Sequence, residues 1–254
     1  MGKTRVKAKV SFHEQIASDI YSMRLQVGAM ASEAVPGQFV AVYCKDGSRL
    51  LPRPISICEI NEAKGELRLV YRVVGDGTEE FSKLHAGALV TVMGPLGNGY
   101  DLLDKKAILI AGGIGIPPML ELAKQLAVPK TIVLGYRDEL FLNEDFEKYG
   151  EVVIASEDGK HGTKGNVLDA IAESQVTGEA IYSCGPLPML RAVKQYGMEH
   201  DMVTQISMEE KMACGIGACL SCVCESTEVD AHSHVHNKRV CKDGPVFYAQ
   251  EVTL

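Results

Sequence analysis

The sequence predicts an N-terminal antiparallel β-barrel, then a doubly wound parallel-sheet α/β domain, then a small cysteine-rich region. Three observations carry this. Residues 1 to about 100 hold short strand-like runs broken by glycine and proline. From Ala107 onward, continuous apolar runs alternate with helical stretches. From about Ser207 the chain turns rich in cysteine and glycine. Many short strands with turn signals suggest a small barrel or sandwich. Continuous apolar strands alternating with helices mean a parallel sheet buried on both faces.

In the first part, Val6, Ala8, Val10 and Phe12 alternate at period two. Further strand-like runs span 39–44, 67–74 and 89–93, and a helix is expected from Thr78 to Leu84. The stretch 94–100, Gly-Pro-Leu-Gly-Asn-Gly-Tyr, marks a boundary. Beyond it, strands are expected over 107–111, 131–136, 152–155 and 180–184, with helices from 118 to Leu126 and near 139–149, 164–174 and 187–199. The domain limits that follow are 1–101 for the barrel, 102–204 for the α/β domain and 205–254 for the tail.

Composition narrows the function classes. The chain has 254 residues, and 26 basic against 33 acidic side chains give a formal charge of −7. That lacks the basic excess of a nucleic-acid binder. No apolar run reaches the roughly 18 residues of a membrane span. Residues 1–10 alternate charged and apolar side chains, unlike a secretory signal, so a reducing, cytoplasmic setting is expected. In that setting the eight cysteines are not a disulfide framework, and five of them fall between Cys214 and Cys241.

Cys214, Cys219 and Cys222 follow the spacing C-x4-C-x2-C, with Cys241 more distant. This is the plant-type spacing for a [2Fe–2S] cluster. Gly215 and Gly217 let the backbone wrap closely and aim N–H groups at sulfur. A structural zinc site is the competing reading, although zinc more often uses two separate C-x2-C knuckles. Cys224 is either a substitute ligand or a buried strand residue. His232, His234 and His236 read as a solvated hairpin tip or, alternatively, a metal-binding strand face.

Two elements of the barrel suit a flavin. Arg53, Pro54, Ile55 and Ser56 offer a guanidinium for a pyrophosphate and a hydroxyl for a ring heteroatom. Val70, Tyr71 and Arg72 lead to Gly77 and Thr78 at a helix start, where free N–H groups favour phosphate. Each element alone is equally compatible with an ordinary turn or helix cap. In the α/β domain, Gly112, Gly113 and Gly115 sit in a strand–helix turn, and Cys184, Gly185 and Pro186 close another strand at the same carboxyl edge. Ligands bind at that edge in open α/β sheets. Cys184 is a candidate to approach a nicotinamide. The acidic Glu157 and Asp158 after the strand at 152–155 favour NAD over NADP, whereas Arg137 argues the other way.

Taken together these motifs resemble the ferredoxin-NADP reductase superfamily. The tail, from Met212 through Cys222 and from Val240 to Phe247, resembles the electron-transfer subunits of NAD-dependent, B-type dihydroorotate dehydrogenases. That resemblance implies FAD on the barrel, a [2Fe–2S] cluster held by Cys214, Cys219, Cys222 and Cys241, and NAD on the α/β domain. It also implies an FMN-containing catalytic partner that oxidises dihydroorotate, in a heterotetramer with two of each subunit, serving pyrimidine biosynthesis. The implied electron path runs from dihydroorotate through partner FMN, the cluster and FAD to NAD. A related subunit of NADH-dependent ferredoxin:NADP oxidoreductases shares this layout but has an aspartate at the position of Cys214. A zinc-stabilised nucleotide-binding regulator is the non-enzyme alternative.

Overall fold

A computed structural model describes residues 3–229 and 234–254. Strands β1 (Thr4–Ala17), β2 (Ile20–Gln26), β3 (Phe39–Tyr43), β4 (Arg53–Asn61), β5 (Glu66–Arg72) and β6 (Leu89–Leu96) close an antiparallel barrel in the order β1-β2-β5-β4-β3-β6. Helix α1 (Met30–Glu33) and helix α2 (Asp76–Ser82) send Met30, Ala31 and Phe81 into its interior. There they meet Val10, Leu25, Val42, Ile57, Leu69 and Val92. Strands β2 and β4 go beyond the runs legible in the sequence. Pro54 argues against a strand, yet it is tolerated near the start of β4, where it pairs with Ala41. Helix α2 begins two residues before the expected Thr78 and ends at Ser82.

The barrel is buried on parts of its outside too, as the period of two requires. Along β3, Val40 and Val42 point inward while Phe39 and Ala41 join the apolar cluster around the tail cysteines. On the neighbouring strands β4 and β5, Cys58 and Val70 face the α/β domain. This double burial is why Glu66–Tyr71 are buried without alternation, the ion-paired Arg68 among them.

The α/β domain contains β7 (Ala107–Gly112), α3 (Pro118–Gln125), β8 (Lys130–Tyr136), α4 (Asn143–Phe146), β9 (Glu151–Ser156), β10 (Thr163–Lys164), α5 (Val167–Glu173), β11 (Ala180–Cys184), α6 (Leu187–Glu199) and β12 (Val203–Ser207). After the hairpin β13 (Val223–Glu225) and β14 (Asn237–Arg239), β15 (Val246–Tyr248) returns to the large sheet. Its order is β10-β9-β8-β7-β11-β12-β15, parallel except for β15 on β12. Along β7, Ala107, Leu109 and Ala111 pack on the α3 side, whereas Ile108 and Ile110 pack with Val167, Ile171 and Val193 of α5 and α6. Helices therefore cover both faces, which is the doubly wound arrangement.

Two expectations change. The helix near 139–149 shrinks to the single turn of α4, because residues 137–142 loop out and Tyr136 Oη donates to the Phe141 carbonyl at 2.9 Å. Strand β12 was not visible in the sequence, because it carries Thr204, Gln205 and Ser207 among its buried positions. Gln205 explains one of them. Its amide donates to the Asp101 carbonyl at 2.9 Å and accepts from the Asp101 N–H at 2.9 Å. Tyr182 of β11 donates to the same carbonyl at 3.0 Å, and Tyr248 of β15 donates to the Asp101 carboxylate at 2.8 Å. One linker residue thus joins the barrel exit, two sheet strands and the tail.

Across the same boundary, the buried Glu121 carboxylate of α3 accepts from Ile60 N–H of the barrel at 2.7 Å. Lys124 donates to the Ile60 carbonyl at 2.8 Å. Gln205→Ala removes a buried side chain together with both of its hydrogen bonds to Asp101 and should cost about 2 kcal/mol of stability. Urea unfolding of the wild type and variant measures this directly.

Candidate functional site

The turn after β7 and the turn after β11 meet with almost no room. A Cβ on Gly115 would strike the Cys184 carbonyl oxygen and come within 2.6 Å of the Gly185 Cα. A Cβ on Gly112 would approach the Met189 sulfur to 2.7 Å. Small residues are needed here because two backbones cross. The crossing forms the floor of a cleft of about 1790 Å³ at the carboxyl edge of the sheet. Gly112, Gly113 and Pro186 line that cleft, as does Arg72 from the barrel. Gly115, Cys184 and Gly185 lie beneath it, and Cys184 is 1% exposed. Burial pushes its thiol up to about 12.

The sequence reading missed much of the cleft wall. Asp19 lines it from the β1–β2 turn, Asp138 to Phe141 from the loop after β8, beside the expected Arg137, and Lys160 and His161 from beyond β9. The segments after β8 and β9 carried a signal, since each follows a strand at the same sheet edge; Asp19, from the barrel, carried none.

In the barrel, the two flavin-type elements come together. Arg53 begins β4, and its side chain fills the space beside the Gly77 Cα, so that any Cβ there would collide with the guanidinium. Tyr71 is buried and Arg72 exposed at the end of β5. Thr78 behaves as a cap. Its hydroxyl accepts from Val74 N–H at 2.9 Å and donates to the Gly75 carbonyl at 2.9 Å, which shapes the Gly-Asp-Gly turn. Behind this turn, one His13 ring nitrogen lies 2.7 Å from the Leu84 carbonyl and the other 2.9 Å from the Tyr71 hydroxyl. The carbonyl can only accept, so Nδ1 carries the proton and Nε2 accepts from Tyr71. His13 so ties β5 to the segment that follows α2.

The cysteine loop sits against the outer face of β3 and β6. Cys222, Cys224 and Cys241 are buried with Phe39, Ala41 and Leu96. The four ligand-type thiols fall into two pairs. Cys219 is the thiol that acts on Cys214, and Cys222 the thiol that acts on Cys241. Gly217 N–H donates to Cys241 Sγ at 3.1 Å, Ala218 N–H to Cys214 Sγ at 3.3 Å and Cys241 N–H to Cys222 Sγ at 3.4 Å. Burial raises the Cys214 thiol, but N–H donors from Ile216, Cys219 and Ala218 outweigh it and bring it down to about 6. Burial and the neighbouring Cys222 push Cys241 up to about 12.

Among the described residues, no three His, Cys, Asp or Glu side chains gather as a group able to hold a single metal ion. A two-iron centre instead takes two thiolates on each iron, which suits a two-plus-two arrangement ringed by N–H donors. Cys224 lies on β13 opposite Lys238, buried, with its thiol raised to about 11 by burial. Of the three histidines, His232 falls outside the described residues.

Comparison with known proteins agrees with this layout. The family model "Iron-sulfur cluster binding domain of dihydroorotate dehydrogenase B" matches residues 209–253, and "Oxidoreductase FAD-binding domain" matches residues 7–100. The chain is 42% identical over 250 residues to "Dihydroorotate dehydrogenase B (NAD(+)), electron transfer subunit" of Caldanaerobacter subterraneus subsp. tengcongensis, covering 98% of each. It is 43% identical to the protein of that name in Geobacillus sp., covering 95% of this chain and 96% of the relative. Among solved structures, one from work on flavin-based electron bifurcation by an NADH-dependent reduced ferredoxin-NADP oxidoreductase superposes with a TM-score of 0.87. It is 26% identical and covers 100% of this chain and 91% of the other. A ferredoxin NADP+ reductase from Neisseria gonorrhoeae with bound FAD and NADP shares the fold, at TM-score 0.64 and 16% identity over 77% of this chain and 91% of the other.

Two outcomes follow from the geometry. Gly115→Ala should destabilise the chain by about 2–3 kcal/mol, since neither colliding backbone can move freely; thermal unfolding reads this. His13 is held neutral mainly by burial, so its folded pKa lies below the ordinary 6.5. The unfolded chain therefore binds the extra proton, and stability should be full above pH 6.5 and decline as pH falls below it. Urea midpoints between pH 7.5 and 5 should show less decline in His13→Gln than in the wild type.

Proposed function

The chain belongs to the family of dihydroorotate dehydrogenase B electron transfer subunits, and we propose that it carries electrons from a dihydroorotate-oxidising partner subunit to NAD+. The observation that carries this reading is the paired-thiol loop packed on the outer face of a flavin-type barrel, which is itself joined to a nucleotide cleft. When bound, a [2Fe–2S] centre exchanges single electrons and a flavin converts these into the two-electron exchange that NAD+ requires.

The chain's own residues then have distinct tasks. Cys214, Cys219, Cys222 and Cys241 supply four thiolates, and the N–H groups of Gly217 and Ala218 offset their charge. Arg53 to Ser56, Val70 to Arg72, and Gly77 with Thr78 form the flavin seat, where the Arg53 guanidinium answers the pyrophosphate charge. Gly112, Gly113 and Pro186 line the nucleotide cleft, with Gly115, Cys184 and Gly185 supporting its floor. This reading divides the chain into a flavin barrel over 1–101, a nucleotide domain over 102–204 and a cluster-binding region over 205–254. It places the protein in the cytoplasm. No helix among the described residues is long and apolar enough to cross a membrane.

The assembly is the family's heterotetramer, two of each subunit, with an FMN-containing catalytic partner. The likeness to an NADH-dependent ferredoxin-NADP oxidoreductase structure supports a second reading, a subunit that exchanges electrons with ferredoxin. The higher identity to the dihydroorotate dehydrogenase relatives favours the first. Purified alone, the chain should show flavin and iron–sulfur absorption, oxidise NADH with ferricyanide, and leave dihydroorotate untouched. Addition of the partner subunit should confer dihydroorotate-dependent NAD+ reduction. Dihydroorotate turnover by the isolated chain would overturn this division of labour.

A further inference from the structure

At the mouth of the nucleotide cleft, the ends of β8 and β9 present two cations, and a carboxylate engages each. Arg137 Nε lies 3.5 Å from Asp138 Oδ2, and Lys160 Nζ lies 3.0 Å from Asp158 Oδ2. In doubly wound folds, the segment following the strand after the glycine turn reads the adenosine ribose. There a carboxylate accepts from a free 2′-hydroxyl, while an arginine answers a 2′-phosphate. Here β7 carries the glycine turn and β8 is the next strand, so Arg137 and Asp138 occupy that segment side by side. Both line the cleft, together with Lys160 and Glu157. Glu157 makes no ion pair among the described residues, which leaves its carboxylate as an additional acceptor and a further negative charge.

We propose that Asp138 and Asp158 set the cofactor selectivity of this cleft, by occupying the Arg137 and Lys160 cations that would otherwise receive a 2′-phosphate. The cleft thereby selects NADH over NADPH although it holds the positive side chains of an NADP site. This rests on the assignment of the nicotinamide dinucleotide to the cleft and deepens it. The arrangement also resolves the conflict in the sequence, where Arg137 argued for NADP and Glu157 and Asp158 for NAD. The ion pairs are solvent-exposed, so each is weak alone. Their effect on selectivity comes from like-charge repulsion against a phosphate dianion as well as from engagement of the cations.

The test uses the assembled holoenzyme and measures kcat/KM for NADH and NADPH with ferricyanide as acceptor. The double variant Asp138→Asn, Asp158→Asn should raise NADPH efficiency roughly tenfold relative to NADH, the size of one lost charge contact at a partly exposed site. Adding Arg137→Ala to the double variant should return the ratio toward that of the wild type, which a merely structural role for the aspartates would not do. Asp138 Oδ1 also accepts from Glu139 N–H at 2.9 Å. Asp138→Ser keeps a short acceptor for that N–H and should shift the ratio in the same direction if the double variant fails to accumulate. A ratio unmoved in these variants, with NADH oxidation intact, overturns the selectivity proposal alone. A wild-type holoenzyme that NADH cannot reduce overturns the assignment of the cleft, and the selectivity proposal with it.

Discussion

Asp101 is the residue on which the relative placement of the three regions depends. Its carbonyl, amide and carboxylate are claimed by Tyr182, Gln205 and Tyr248, from three different strands. A linker of ordinary length would allow the barrel and the α/β domain to swing. Here the linker backbone is bonded as firmly as a sheet strand, and the strand that follows the cysteine loop is bonded to the same point. Next to it, Asn98 N–H donates to the Gly244 carbonyl at 2.7 Å, which fastens the linker to the tail a second time. Gln205 and Tyr182 are buried, and leaving their polar atoms unpaired would be costly, so these hydrogen bonds hold the linker firmly.

Apolar packing then uses that fixed geometry. The barrel's outward side chains are divided between two customers: Phe39, Ala41 and Leu96 cover the tail cysteines, while Cys58 and Val70 meet the α/β domain around α3. The barrel therefore touches the tail cysteines on one outer face and the α/β domain on another. For an electron carrier this arrangement matters, because one-electron transfer requires short separations while the hydride acceptor must reach the flavin from another side. The fold meets both demands by burying two different faces of one small barrel.

Much of this was legible in the sequence, and particular residues show why. The spacing of Cys214, Cys219 and Cys222 is local, so a single loop suffices to bring the thiols near one another. Strands 107–111 and 180–184 are recognisable because burial on both faces leaves mainly apolar positions, with Ser183 the polar exception. Strand β12 escaped because its polar side chains are buried by partners far away in sequence, such as Gln205 with Asp101. The expected helix near 139–149 failed in the opposite way. Its local pattern suits a helix, but the chain from Arg137 to Phe141 is spent on the cleft wall. For the glycines, the sequence marked a ligand turn, and the structure adds that Gly115 is required by a crossing backbone.

By itself, then, the sequence determined the order of barrel, α/β sheet and thiol loop, and the chemical types gathered in each. Those properties follow from periodicity and short spacing, which act within one element. Only the tertiary structure decided which backbone N–H groups reach which thiols, that Thr78 is a cap, and that Asp138 engages Arg137 at the rim of the cleft. Each of these depends on the direction in which a side chain points after distant segments have packed, and no one-dimensional pattern encodes that direction.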